Sequence, residues 1–167
     1  MLKLCLKEGV EMKYKNTLLV VKDMSRSKNF YRHVLNLKVL FDYHGRATLS
    51  SGIILESYEL WKDLIHKNKE EIMMPNNACE LYFETEDIDQ FMQTLVEFNV
   101  PLVHPLKEHA WGQRTVRFYD PDGHMIEVGE SMKKVAKRFL SQGFSYEETA
   151  KLMNVPLDCI KEAIHHG

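Results

Sequence analysis

Cysteine is scarce in this chain. Its 167 residues hold three, Cys5, Cys79 and Cys159, far apart and in no CxxC pair. That argues against a disulfide scaffold and fits a thiol-keeping compartment, so a cytoplasmic location is expected. No apolar run nears the ~18 residues that a membrane-spanning helix needs. The opening MLKLCLKEGVEM lacks both the apolar stretch and the small-residue cleavage site of a signal peptide. Residues 1–12 are expected to be an N-terminal extension, with Met12 beginning a more ordinary start. An excess of one charge is also missing. The formal net charge of −2 gives no reason to expect nucleic acid or acidic membrane as a partner. Eight histidines occur, none at HxxxH or HExxH spacing. What remains is an ordinary globule, 44% apolar and 28% charged, long enough to bury a core.

The order of elements repeats. YKNTLLVV is apolar and β-branched and predicts a strand, followed by a helix for which Asp23, Ser25 and Ser27 are candidate caps. LKVLFDYHG, RATLSSG and IILES predict three short strands ended by glycine or serine. Residues 58–77 form a polar, partly helical connector. Then CELYFET predicts a strand, EDIDQFMQTLVEFNV an amphipathic helix, and VPLVHPL, QRTVRFY and HMIEVGE three more strands. An offset of 64 carries Asp23 onto Asp87 and Asn16 onto Glu80. The chain therefore reads βαβββ twice, with modules at 13–57 and 78–130. Residues 131–167 carry no strand signal and predict a helix-turn-helix-like tail broken at Gly143 and at Asn154-Val155-Pro156. Ser145 and Glu148 form a capping box there. The tail's last helix sets Asp158 and Glu162 against Lys161, and the basic Lys133, Lys134, Lys137 and Arg138 lie in the preceding helix, so DNA binding is not expected. A helical cap on the sheet edge, or a protein-contact module, fits better.

Alternation assigns faces. Ile126 and Val128 suit the helix-covered side, which leaves Glu127 on the open side. The same reasoning puts Glu56, Glu80, Tyr82 and Asn16 on open faces. If the two open faces form one cup, Asn16, Glu56, Glu80 and Glu127 converge. Buried carboxylates then need a cation, a basic neighbour or protons. Arg114 and Arg117 are the candidate basic partners of Glu127.

The opening NTLLVVKD, the following SKNFY and above all WGQRTVRFYDPDGHMIEV resemble the vicinal oxygen chelate superfamily, over about residues 13–130. That group includes glyoxalase I, extradiol dioxygenases, and fosfomycin- and bleomycin-resistance proteins. The resemblance implies an α+β fold of paired βαβββ modules forming a cup-shaped mixed sheet, here with a C-terminal helical appendage. It also implies a homodimer, because two chains often complete one cup. Metal ligands would come from Asn16, Glu56, Glu80 and Glu127, with Asn16 and Glu80 standing where relatives carry histidine. Without those histidines a ring-cleaving iron site is not expected. Two readings of the cup stay open. In one, it binds a small molecule without metal, as in drug sequestration, through Trp111, Arg117, Tyr82 and His104. In the other, a divalent ion (Mn, Mg, Ni or Zn) supports glyoxalase-type lyase or isomerase chemistry, with Glu127 or Glu56 moving a proton α to a carbonyl. A third reading makes the modules a scaffold for an interaction or regulatory role of the tail.

Overall fold

The computed structural model describes residues 11–165. Most of the expected N-terminal extension, 1–12, lies outside these residues. The first module consists of β1 (Thr17–Val21), α1 (Met24–His33), β2 (Val39–Tyr43), β3 (Arg46–Leu49) and β4 (Ile53–Ser57). A short helix, α2 (Tyr58–Leu64), begins the connector. The second module repeats the order with β5 (Asn76–Thr85), α3 (Ile88–Glu97), β6 (Leu102–Glu108), β7 (Arg114–Tyr119) and β8 (His124–Glu130). The tail is α4 (Met132–Ser141), α5 (Tyr146–Met153) and α6 (Leu157–His165). The fold is α+β, with paired βαβββ modules and a C-terminal helical part. The strands form two four-stranded mixed sheets, ordered β1-β4-β3-β2 and β5-β8-β7-β6, with β1 parallel to β4 and β5 parallel to β8.

The duplicated aspartates start the duplicated helices. Asp23 accepts from the Arg26 amide and Asp87 from the Gln90 amide, each at 2.9 Å. Each satisfies an amide that the first helical turn leaves unpaired. Ser145 and Glu148 do the same for α5 as a reciprocal capping box.

One hydrophobic core joins the modules. Leu19, Val21, Ile53 and Leu55 of the first sheet meet Val116, Phe118, Ile126 and Val128 of the second, with Tyr31 of α1, Val34 just after it, and Ile88 and Leu95 of α3. The helix-covered faces of both sheets thus share one interior, and the opposite faces turn outward. This changes the expected convergence. Within one chain, Glu56 belongs to the first sheet, with Asn16 just before its strand β1, and Glu80 and Glu127 belong to the second. The pairing register adds a second correction. Val20 lies beside Glu56 and Tyr82 beside Glu127. The repeat offset carries Val20 onto Glu84, whose neighbour is Gly129. Glu56 therefore corresponds to Gly129, not to Glu127. A slip of two residues leaves every side chain on its face, so alternation could not reveal it.

The Asp120–Gly123 turn fastens the second module to the first. Asp122 accepts from the Lys22 amide at 3.1 Å, the Arg26 guanidinium at 2.8 Å and the Ser27 hydroxyl at 3.0 Å. Asp120 accepts from the Tyr31 hydroxyl at 2.9 Å and from His124 Nδ1 at 2.8 Å, and also from the amides of Asp122 and His124. Burial alone would raise the Asp120 pKa; the bonds from His124 and Tyr31 outweigh it and hold the carboxyl below the usual range. Gly123 has φ +91° and lies against Pro75, so glycine suits the reversal on both counts.

The tail has its own smaller core of Val135, Ala136, Ala150, Met153 and Ile160. Its first helix is tied to the second sheet through Arg138 and Glu130, 3.0 Å apart.

Candidate functional site

A polar row crosses the outward face of the second sheet. The register sets Tyr82 beside Glu127, Glu127 beside Arg117, and Arg117 beside His104. All four were expected at the site, and they come from four neighbouring strands. Arg117 Nη2 contacts Glu127 Oε2. Its Nε donates to Glu80 Oε2 at 2.9 Å, and its Nη1 lies 3.4 Å from His104 Nε2. A guanidinium only donates, so His104 Nε2 is the acceptor. His104 Nδ1 then donates to the Pro105 carbonyl at 2.7 Å, which fixes the tautomer. The Glu127 side chain is 7% exposed and that of Glu80 36%. One guanidinium therefore serves a nearly buried carboxylate and a half-open one. Arg114, the other candidate partner of Glu127, instead holds Glu130 and Asp89.

The His109–Gln113 loop between β6 and β7 forms a rim. Gly112 donates to the His109 carbonyl at 2.9 Å, closing a turn in which Gly112 has φ +85°. The His109 and Trp111 rings stack 4.3 Å apart and 3° from parallel. His109 Nε2 lies 3.0 Å from the Thr115 hydroxyl. Burial, then the charges of Arg117 and Lys107, lower the His109 pKa and favour its neutral ring. Trp111 Nε1 donates to Gln113 Oε1 at 3.2 Å. Gln113 Nε2 donates to Tyr82 Oη at 2.7 Å and to the Glu130 carbonyl at 2.8 Å. Tyr82 Oη in turn donates to Glu84 at 2.9 Å. Burial raises the Tyr82 pKa; the bond from Gln113 opposes this and Glu84 adds to it. A Cβ at Gly129 would come within 2.8 Å of Gln113 Nε2, so that glycine makes room for the network.

The first sheet's outward face is simpler. Glu56 is fully buried, and its Oε2 accepts from both Nε, at 2.8 Å, and Nη2 of Arg46. Its Oε1 has no hydrogen-bond partner among the described residues. Asn16 Nδ2 donates to the Gly52 carbonyl at 3.2 Å, tying down the β3–β4 turn.

These positions bear on the expected metal set. A divalent ion bound by oxygen or nitrogen takes several converging donors. Among the described residues, no group of three or more His, Cys, Asp or Glu side chains is arranged to hold one. Glu80 and Glu127 face Arg117, Glu56 faces Arg46, and Asn16 donates to backbone. The donor set within one chain does not fit a metal ion, and an arginine stands in each glutamate cluster.

Sequence reasoning missed Arg46, Gln113, Thr115 and Glu130. Arg46 and Thr115 are cross-strand neighbours whose roles depend on register. Gln113, directly after Trp111-Gly112, gave a weak signal because a loop amide points wherever its loop turns.

The family model for the glyoxalase-like domain matches residues 14–133. The chain is 26% identical over 108 residues to the metallothiol transferase FosB of Staphylococcus saprophyticus, covering 65% of this chain and 70% of that protein. A crystal structure of a protein of unknown function from Agrobacterium tumefaciens is 39% identical, with a TM-score of 0.65 over 74% of this chain and 98% of the other. A glyoxalase/bleomycin resistance protein/dioxygenase from Nocardioides shares the fold at 19% identity and a TM-score of 0.60, over 74% and 86% of the two chains. No helix among the described residues is long and apolar enough to cross a membrane. With its two βαβββ modules and a family match across most of both, this chain belongs to the glyoxalase-like domain family of the vicinal oxygen chelate superfamily.

Proposed function

We propose that the protein binds a small molecule, of the cationic aromatic class, on the outward face of the second sheet. The observation that carries this reading is the Tyr82–Glu127–Arg117–His104 row, rimmed by Trp111. Glu80, Glu84 and Glu127 present three carboxylates there, against the cations of Arg117 and Lys107. That leaves a surplus negative charge beside two aromatic faces. A cation seated over Trp111 or Tyr82 gains from the ring and from the carboxylates together. Glu127 holds the ligand's charge by sharing it with Arg117, and Trp111 covers the ligand's flat side. Drug sequestration is one use of such a site.

Isothermal titration of a panel of cationic aromatic compounds tests this. Trp111→Ala and Glu127→Gln should each weaken a hit by about tenfold or more. A hit of equal affinity in both variants, or no hit in the panel, would sink the reading.

A second reading has one observation in its favour, the similarity to a protein named as a metallothiol transferase. It makes Glu127 a metal ligand in an enzyme, lyase, isomerase or transferase. Displacing Arg117 would be its first requirement. Elemental analysis of untagged protein purified without chelator separates the two readings. About one divalent ion per chain, lost in Glu127→Ala, would favour the enzyme. We also read the protein as a homodimer. Its outward faces need a cover, and Phe41 and Tyr43 on edge strand β2 are each 73% exposed. Sedimentation equilibrium decides this.

A further inference from the structure

We infer that the C-terminal helical unit positions the Trp111 loop, with Arg138 and Phe139 as positioning residues for the binding face. The inference rests on the binding reading above for its purpose, but not for its geometry.

Arg138 of α4 reaches three acceptors on the second module. It contacts the Gly112 carbonyl, bonds Glu130 Oε2 at 3.0 Å, and lies 3.6 Å from Glu108 Oε1. Its neighbour Phe139 presses on the same loop. A Cβ built on Gly112 would meet Phe139 Cζ at 2.4 Å and Val135 Cγ1 at 3.3 Å. The loop backbone at 112 is thus gripped between a guanidinium and an aromatic ring, and only glycine fits. From there the contacts run into the site. Glu130, which binds Arg138 and the Arg114 guanidinium with its carboxylate, accepts Gln113 Nε2 at its carbonyl. Gln113 holds both Trp111 and Tyr82. Every link from α4 to the aromatic rim is therefore a direct contact. The side chains involved are largely buried: Glu130 is 1% exposed and Gln113 5%. Alternative pairings with water are closed to them.

The family match ends at residue 133, so nearly all of α4 lies beyond the matched domain. A helix that grips the loop carrying the site's exposed tryptophan acts on what the site can close over. A rigid Trp111 offers a fixed aromatic face and loses little freedom when a ligand stacks on it.

The test uses the full chain in a Trp61→Phe background, which leaves Trp111 as the sole tryptophan. Acrylamide is the only probe, so the result stands whether or not a ligand is known. Failure of the quenching test overturns the brace. Failure to find a ligand, with quenching as expected, overturns only the binding reading. Arg138→Ala should raise the acrylamide quenching constant of Trp111 by about twofold, because the freed loop samples open states. Arg138→Lys should recover part of that change by keeping the Glu130 contact. Gly112→Ala attacks the grip from the loop side and should raise quenching too, with α4's contact to Glu130 left in place. Met153→Ala hollows the tail's core from α5 while Arg138, Phe139 and Gly112 keep their side chains, and a variant that stays helical by circular dichroism should leave quenching unchanged. Unchanged Trp111 quenching in Arg138→Ala and Gly112→Ala overturns the inference. So does an equal rise in Met153→Ala, which would mean general softening of the tail.

Discussion

The first sheet holds Glu56 out of water against Arg46, with one carboxylate oxygen unpartnered; the second holds Glu127 against an arginine that also serves Glu80 and faces His104. Both modules pair a glutamate of the last strand with an arginine directly across on the preceding strand. The pairs sit two positions apart in the repeat. Around Glu56 the face offers Val20 and Ile54; around Glu127 it offers Tyr82, Thr115 and Gln113. The turns before the two strands differ as well. Ser50 of the first exchanges bonds with the Lys38 backbone only, whereas Asp120 and Asp122 of the second clasp the other module. Duplication supplied two copies of one frame. One became a closed structural pair and the other an open polar network.

The largest difference should come from the turns. Asp120→Ala strands a buried tyrosine hydroxyl and two amides and should cost about 4 kcal/mol in urea unfolding. Ser50→Ala, in the corresponding turn, should cost only about 1 kcal/mol. Equal costs would mean that the clasp is not what joins the modules. Next come the arginines. Arg46→Ala leaves Glu56 buried without its cation and should destabilise by about 3 kcal/mol. Arg117→Ala should cost less, about 1–2 kcal/mol, because Glu80 is partly open to water and Glu127 keeps a little exposure, whereas Glu56 has none. The reverse order would make the second pair the structural one. The smallest contrast is in acid. The folded pKa values of Asp120 and Glu130 are both lowered, so their stabilisation is complete above the unfolded carboxylate range and is lost as pH falls through the folded values. Stability should hold from neutral to about pH 5 and decline below about pH 4. The decline should be shallower in Asp120→Ala, whereas Arg46→Ala should leave that contribution in place.

Much of the frame was legible in the sequence because its signals are local. The strand alternation in HMIEVGE, the stripe expected of Ile88, Phe91, Met92, Leu95 and Phe98 (of which Phe98, at the helix end, stays half exposed), and the two capping aspartates each act within a few residues. They suffice for the modules and for the face on which each polar residue lies. Alternation puts Tyr82 and Glu127 on the open side, with Arg117 a candidate partner of Glu127; that the three line up with His104 in one row depends on register. What escaped depends on longer range. Register decides that Arg46 meets Glu56 and that Glu56 corresponds to Gly129. The packing of one module's helix on the other decides that the two open faces look outward within one chain. Arg138 read as one of several basic residues on a tail helix, because nothing near it in sequence announces that Glu130 and Gly112 lie within its reach.

The Asp122 clasp has a consequence for how the chain must be made. Its three partners, Lys22, Arg26 and Ser27, lie 95–100 residues earlier. During synthesis the first module leaves the ribosome long before Asp122 exists, and until then α1 has apolar surface with no second sheet to lie on. Closing so long a loop is slow compared with forming the helices. The first half must wait, half-made and prone to sticking, for the second. Although the chain is a tandem repeat on paper, its halves are interdependent in time.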